Sequence, residues 1–368
     1  MFKRKVSLFI VIAIILSMLV GCADDTIKEN DNIIDEQGAE VKEDIEIEDM
    51  AGRIVLIPAK VDKAFSTSPT GTILLYSLNP EKMLGWNYDL REGEKRFIDE
   101  KYHSLPNLGG AGKNAINIEE VLKLDPTVLI MMEELDDGSI SKAEELEEQT
   151  GKPVILLDSS LYRLEEAYNI LGKVLREEEK AGELANYCRE TMEDIEKKAP
   201  KIKEEEKVRV YYAEGPNGLE TEPSGSWHAE TIDIVGGENV AEVAIKGNKG
   251  KSEVSIEQLL KWNPDIIISW DDERGGYYSE IFKDPAWQDI KAVRDKEIYE
   301  IPNSPFNWFD RPPSSNRILG VKWIGNLLYP DAFDYNIKEE VKEFYDKFYH
   351  YQLNDEELDD LLKNSIRH

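Results

Sequence analysis

Apolar residues recur at helical spacing through the middle of the chain. Leu164, Ala167, Tyr168, Leu171, Val174 and Leu175 share one helical face, and Ala181, Leu184, Ala185, Cys188, Met192 and Ile195 share another. The register changes across 176–180, so the pattern predicts two helices, 161–176 and 177–199. At 1.5 Å per residue the second would run about 35 Å. Pro200 and the charged run to Lys207 end it. Two copies of one motif flank this helical stretch: Asn117-Ile-Glu-Glu-Val-Leu-Lys-Leu-Asp-Pro126, and Ser255-Ile-Glu-Gln-Leu-Leu-Lys-Trp-Asn-Pro264. Asn117 or Ser255 supplies an N-cap, and Glu120 or Gln258 three residues later completes a capping box. The Pro stops the short helix, because the residue before it is pushed out of the α region. Each copy runs into an apolar strand, Thr127-Val-Leu-Ile-Met131 or Asp265-Ile-Ile-Ile-Ser269. A helix-Pro-strand unit on each side of a helical spine predicts two similar α/β lobes.

The remaining pattern fills in these lobes. Residues 45–58 alternate loosely around the turn Asp49-Met-Ala-Gly-Arg53 and predict two short strands. A strand over 61–65 opens through Ser66-Thr-Ser-Pro-Thr-Gly71 into a helix ending at Leu78, and strands are expected at 83–87 and 154–157. The second lobe restarts with a strand at 208–214, a Gly/Pro/Ser-rich loop over 215–226, and a helix from Trp227-His228 to Val235. A helix at 286–293, a strand at 297–301, a Pro-rich loop over 305–314 and a helix over 316–328 follow. Amphipathic helices finish the chain, with Phe344, Phe348 and Tyr351 on one face. Strand-to-helix turns place hydroxyls and free backbone N–H groups at the C-terminal edge of a sheet, where ligands bind in open α/β folds.

The 368 residues favour two domains or one large one, and the formal net charge of -30 argues against nucleic acid as a partner. The N-terminus changes the picture more. Lys3, Arg4 and Lys5 precede an apolar run over 6–20 that is short for a membrane span and has the layout of a secretory signal. It ends in Leu19-Val20-Gly21-Cys22, which is similar to a bacterial lipobox, so Cys22 is the expected site of lipidation and the mature N-terminus. Cys22→Ala should release the protein from membranes or leave it unprocessed; unchanged acylation and membrane retention would sink the assignment. After processing Cys188 remains as the sole thiol, on the apolar face of the spine, which reads as buried and structural. The acidic stretch 23–46 reads as a disordered tether. The expected organisation is a signal peptide and lipobox (1–22), the tether (23–46), an N-terminal lobe (47–160), a helical linker (161–206), a C-terminal lobe (207–352) and a tail (353–368).

Enzyme signatures are missing. The chain has no Gly-x-Ser-x-Gly elbow and no His-Glu-x-x-His. The run Leu105-Pro-Asn-Leu-Gly-Gly-Ala-Gly-Lys113 fails as a P-loop, lacking Gly at 107 and Ser or Thr at 114. Binding without catalysis is therefore expected, with no intrinsic cofactor. A surface scaffold lipoprotein with no transported ligand is the rival class.

From Glu48 to Phe333 the chain resembles the substrate-binding lipoproteins of ABC importers that serve iron-siderophores, haem and cobalamin. The resemblance rests on Asp49-Met-Ala-Gly-Arg53, Ser66-Thr-Ser-Pro69, the Pro106-Asn-Leu-Gly-Gly run, both repeats, Gly236-Gly-Glu-Asn-Val-Ala241, Trp287 with Ala292-Val293, and Leu328-Tyr-Pro-Asp-Ala-Phe333. It implies two three-layer α/β lobes joined by one long helix, with the ligand in the cleft between them. It implies an extracytoplasmic, lipid-anchored monomer that hands its ligand to a transmembrane permease, docking through an acidic side chain on each lobe. Glu133, Glu134 and Glu144 on one side, and Asp271, Asp272 and Glu273 on the other, are the docking candidates. By loop position the cleft candidates are Ser68, Thr70, Trp86, Tyr88, Arg91 and Lys113, then Trp227, His228, Tyr277, Tyr278, Trp308 and Arg311. Aromatic rings give broad contact to a large ligand, and Arg binds carboxylate or phenolate oxygens bidentately. Arg311, beside Trp308 in a Pro-stiffened loop, is the foremost candidate, while His228 reads as structural or as a ligand to an unsaturated metal. The 306–314 run departs from the plainer version of this segment. A ferric siderophore is the first expectation for the metal-bearing ligand; cobalamin or another corrinoid, haem, and a small metal complex or oxyanion stay open.

Overall fold

The computed structural model describes residues 43–246 and 250–367. Cys22, the signal segment and nearly all of the tether lie outside the described residues. The first two strands, β1 (Ile45–Glu48) and β2 (Ile54–Ile57), pair as an antiparallel hairpin. Asp49 closes it: its carboxylate accepts the N–H groups of Ala51 and Arg53 and the Arg53 Nε–H. β3 (Ala64–Ser66) then turns through Ser68, the N-cap, into α1 (Pro69–Leu78).

The stretch 83–87 is not a strand. It makes single bridges, Met83 to Ala64 and Trp86 to Asn107. Leu84 N–H bonds Ala64 on one side and Trp86 N–H bonds Pro106 on the other, so the segment threads between two neighbours instead of extending one ladder. The first repeat forms α2 (Ile118–Lys123) and β4 (Val128–Glu133); α3 (Asp137–Thr150) and β5 (Val154–Asp158) follow. β3, β4 and β5 make a parallel sheet with β4 in the middle. β4 is buried on both faces, as its unbroken apolar run requires.

The spine is α4 (Leu164–Leu175) and α5 (Glu178–Lys198), broken at Arg176 by a left-handed φ of 59°. The two pack on each other. Cys188 is buried in α5, and burial pushes its thiol well above the ordinary range. Beyond the spine come β6 (Arg209–Ala213), β7 (Glu220–Thr221), β8 (Glu238–Asn239) and β9 (Ser252–Glu253). The second repeat gives α6 (Ile256–Trp262) and β10 (Ile266–Ser269), and then β11 (Ile298–Glu300). The second sheet is parallel, ordered β11-β10-β6-β8, while β7 and β9 pair antiparallel beside it. Strands β7, β8 and β9 escaped the periodicity reading. Each has two residues, and β7 meets β9 only across the whole of 222–251. Both repeats keep the N-cap bond, Asn117 to the Glu120 N–H (3.3 Å) and Ser255 to the Gln258 N–H (3.2 Å). The returning half of the capping box is formed at neither repeat, and at the first Glu120 pairs with Lys123 instead.

The chain closes with α7 (Asn316–Leu328), α8 (Ile337–Tyr349) and α9 (Asp355–Leu362). Alternation along β6 and β10 shows how the layers arise. Val210, Tyr212, Ile266 and Ile268 enter a large core shared with α1, the spine, α7 and α8, and the inner face of the first sheet joins the same core. Tyr211, Ala213 and Ile267 point to a second core under α6. The first sheet has its own outer core, with Leu129, Leu156 and Ala143. The C-terminal strand edges of both sheets are thereby held in fixed relation by packed helices.

Candidate ligand-binding site

β10 runs straight into Trp270 and Asp271 at the C-terminal edge of the second sheet. The Trp270 indole N–H donates to the Tyr212 hydroxyl at 2.6 Å. Three cations meet its ring: Lys251 Nζ at 4.2 Å, Arg274 Cζ at 5.0 Å and Arg311 Cζ at 6.0 Å from the centroid. An indole face attracts cations through its quadrupole, but three like charges also need counter-charge. Arg311 has it. Its Nε–H donates to Glu214 Oε1 (3.1 Å), its Nη2–H to Glu222 Oε1 (2.9 Å), and Asp310 Oδ2 lies 3.0 Å from Nε. Lys251 pairs with Glu220 at 3.0 Å. Arg274 donates to the Arg311 carbonyl, and its own N–H donates to Asp271 Oδ1 at 2.9 Å.

Glu214, Glu222 and Asp310 are fully buried, each with 0% exposure, and Arg311 is the cation they share. Desolvation therefore governs Glu214. Burial raises its carboxyl to about 7; Arg311 opposes this, while Asp310 and Glu222 add to it. Burial likewise raises Asp271, against the pull of Arg274. Arg274 is held below its ordinary value by burial and then by the charge of Arg91.

Arg91 belongs to the other half of the site. Glu94, 1% exposed, accepts the Tyr88 hydroxyl (2.8 Å), the Arg91 Nη2–H (2.6 Å) and the Arg91 backbone N–H (2.7 Å). The same loop reaches across to the segment after β10, where the Gly93 N–H donates to Glu273 at 3.1 Å. A cavity of about 350 Å³ opens alongside, where Asp158 and Ser159 after β5 face Ser226, Trp227, Ile245 and Arg317. Trp227 and Ile245 are among the few large apolar side chains left exposed. Arg317 crosses the gap beneath them, donating to the Ser159 carbonyl (3.2 Å), the Trp227 carbonyl (3.3 Å) and Glu230. It is 1% exposed, so it is neither a cap nor a surface charge.

The structure brings Tyr88, Arg91, Trp227, His228 and Arg311 to this region. His228 is buried and structural in setting, its Nδ1 2.7 Å from Asp310 Oδ1 and its ring 4.5 Å from that of Trp227. Ser68 lines a separate hollow at the first sheet's edge, with Thr67, Gly110 and Glu133, and its hydroxyl donates to the Met132 carbonyl at 3.1 Å. Other candidates are placed elsewhere. Trp86 is 2% exposed, its ring tilted against Tyr76 at 5.7 Å with its N–H on the Tyr102 carbonyl, and Trp308 is 0% exposed, 6.4 Å from Tyr345. Both fill the core because their loops fold inward onto α1 and α8. Thr70 is buried, its carbonyl bonded by the Ser314 hydroxyl. Lys113 is exposed and makes no ion pair among the described residues. Tyr277 packs on Trp287 and bonds Asp284, and Tyr278 lines a different cavity with Phe282 and Tyr299. Among the docking candidates, Asp271 is buried and Glu134 lines the cavity beside Trp227, whereas Glu144, Asp272 and Glu273 are exposed.

The sequence reading missed Trp270, Arg274, Lys251, Glu214, Glu222 and Arg317. Trp270 and Arg274 follow the repeat strand directly, so the strand-edge rule reaches them. Lys251 has no local signal, since only the β7–β9 pairing carries it here. Among the described residues no group of three or more His, Cys, Asp or Glu side chains is placed to hold a metal ion.

A sequence model of the periplasmic binding protein family matches residues 87–305. A solved ABC transporter solute-binding protein from Sulfurospirillum deleyianum superposes with a TM-score of 0.80 at 30% identity, over 86% of this chain and 99% of that one. The molybdate-binding protein MolA of Haemophilus influenzae is 26% identical over 327 residues, 82% of this chain and 90% of that protein. An ABC transporter substrate-binding lipoprotein of Bacillus subtilis, YvrC, is 22% identical over 342 residues, 90% of this chain and 99% of that protein.

Proposed function

We propose, from the premise that the chain belongs to the periplasmic binding protein family, that it captures an anionic, metal-bearing solute between its two halves and delivers it to an ABC-importer permease. The family supplies the coarser statement: the protein is the solute-binding component of an importer for a metal chelate, oxyanion, corrinoid or haem. One observation carries the finer one. Lys251, Arg274 and Arg311 gather on the Trp270 ring, with Arg91 close enough to Arg274 to depress its basicity. Arginine forks bind oxygen anions bidentately, and a partly desolvated site strengthens each contact. The protein binds this solute and does not transform it.

Two ligand chemistries meet these terms. A ferric chelate with carboxylate or phenolate oxygens is the first reading, favoured by the exposed Trp227 and Ile245 on the rim, which offer an organic body something apolar to cover. A bare oxyanion is the second, favoured by similarity to the molybdate-binding protein. Lipid anchoring through Cys22 would keep the protein near the permease, in line with similarity to a lipoprotein.

Tryptophan-fluorescence titration of the mature, unlipidated chain decides between them. The panel is ferric citrate, ferric catecholate and hydroxamate siderophores, haem, cobalamin and molybdate, with calorimetry for silent cases. Saturable binding of an anionic species at micromolar or lower concentration is expected. Binding of cobalamin alone, or of nothing, would overturn the anion reading.

A further inference from the structure

Arg311, the cation best placed to meet an anion, is fully engaged by side chains of the protein itself. Three buried carboxylates hold it; among the described residues Glu214 Oε2 and Asp310 Oδ2 have no hydrogen-bond partner, although Asp310 Oδ2 lies 3.0 Å from the Arg311 Nε. Glu222 is fixed more firmly than Glu214. Its Oε2 accepts the Ser226 hydroxyl at 3.0 Å and its Oε1 the Lys251 N–H, and the backbone at Gly250 passes so near that an added Cβ there would overlap the carboxylate. Asp310 is fixed by His228. Among the described residues Glu214 has Arg311 as its one side-chain hydrogen-bond partner. Among the described residues its surroundings are otherwise acidic or neutral: Asp310, Glu220 and Glu222 from the adjoining loops, and Tyr211 and Tyr212 from its own strand. Of the other cations here, Lys251 Nζ pairs with Glu220, the Arg274 guanidinium donates to Asn303 and to the Arg311 carbonyl, and both lie over the Trp270 ring.

We propose that Glu214 is the positioning residue of this site: its carboxylate keeps Arg311 turned into the protein, and protonation of that carboxylate frees the guanidinium for an anionic ligand. The inference rests on the reading of the cleft as an anion site and adds its control. Moving Arg311 from Glu214 to a ligand strips a buried carboxylate of its counter-charge, so the complex takes up a proton there. The incoming negative charge acts in the same direction. Burial already raises the Glu214 carboxyl to about 7. Below that pH the group is protonated in both states and affinity is flat. Above it the unliganded form loses the proton first, and affinity falls by up to about tenfold per pH unit until the complex also deprotonates.

The test has a ligand-free arm and a binding arm. In the first, the Arg311 Nε–H resonance of ¹⁵N-arginine-labelled protein, assigned by its loss in Arg311→Lys, is followed from pH 6 to 9. It should exchange slowly at high pH and quickly below about 7, and Glu214→Gln should hold it in the fast regime throughout. A resonance unchanged over this range in both proteins would overturn the proposal. In the second, molybdate and ferric citrate are titrated by calorimetry at the same pH values in two buffers of different ionisation enthalpy. Wild type should bind with uptake of up to one proton and weaken above pH 7, while Glu214→Gln should bind at pH 8 as wild type does at pH 6, with no slope. A wild-type slope retained in Glu214→Gln would also overturn it. Should neither probe bind, the anion reading falls, and the resonance arm still judges Glu214.

Discussion

Arg311→Ala should weaken ligand binding by about tenfold or more and destabilise the fold by about 3–5 kcal/mol. The first loss follows from removing a charged, bidentate donor at the Trp270 ring. The second is unusual for a residue in a binding loop, and it follows from what Arg311 leaves behind. Glu214, Glu222 and Asp310 are wholly buried, Arg311 is the cation all three share, and Glu214 Oε2 has no hydrogen-bond partner among the described residues even with Arg311 present. Removing one partner of a buried pair leaves its uncompensated charge in a low dielectric. The penalty should depend on pH with a definite sign. In wild type Glu214 is raised from 4.5 to about 7, so the native state binds more protons than the unfolded chain in that window and stability falls as pH rises through it. Without Arg311 the carboxyl rises further, so the variant should lose more stability at pH 8 than at pH 5. Urea unfolding at the two pH values measures this; a variant as stable as wild type at pH 8 would refute the charge accounting.

Gly320→Ala should destabilise the protein by about 1–3 kcal/mol or more and weaken ligand binding with it. Gly320 lies in the middle of α7, where alanine is ordinarily the better residue by roughly 1 kcal/mol. Here the helix presses directly on the 302–315 loop, and an added Cβ would overlap the Trp308 carbonyl. The loop cannot retreat. The Trp308 N–H is held by the Pro302 carbonyl at 3.0 Å, its ring is fully buried against Tyr345, and Asn316 of α7 grips the Asn307 and Pro312 carbonyls. Arg311 sits on the same loop, so displacement of Trp308 carries into the site. Gly182→Ala is the matched control. That glycine lies inside α5 with nothing near the added carbon, and the change should stabilise by about 0.5–1 kcal/mol. Equal effects of the two substitutions in thermal or urea unfolding would show that the α7 contact is not a constraint.

What the sequence determined by itself is the set of units built from neighbours. The N-caps at Ser68, Asn117 and Ser255, the prolines that stop the repeat helices, and the amphipathic stripes of α4, α5 and α8 all act within a few residues. Each element therefore stands close to its predicted place. The same locality carried the strand-to-helix edges, and Arg91 and Arg311 were reached through them. Tertiary structure decided the rest. Trp86, Trp308 and Trp227 are the same residue type in similar loops, yet the first two are sealed in the core and the third stays exposed; the difference depends on which helices the loops meet. Arg317 is buried because Ser159 and Glu230, far away in the chain, close around it. The cluster on Trp270 is assembled from three separate segments, with Lys251 delivered by a two-residue strand pairing that no periodicity announces. A buried charge is stable only where its partners converge, and that convergence comes from packing two sheets around one shared core.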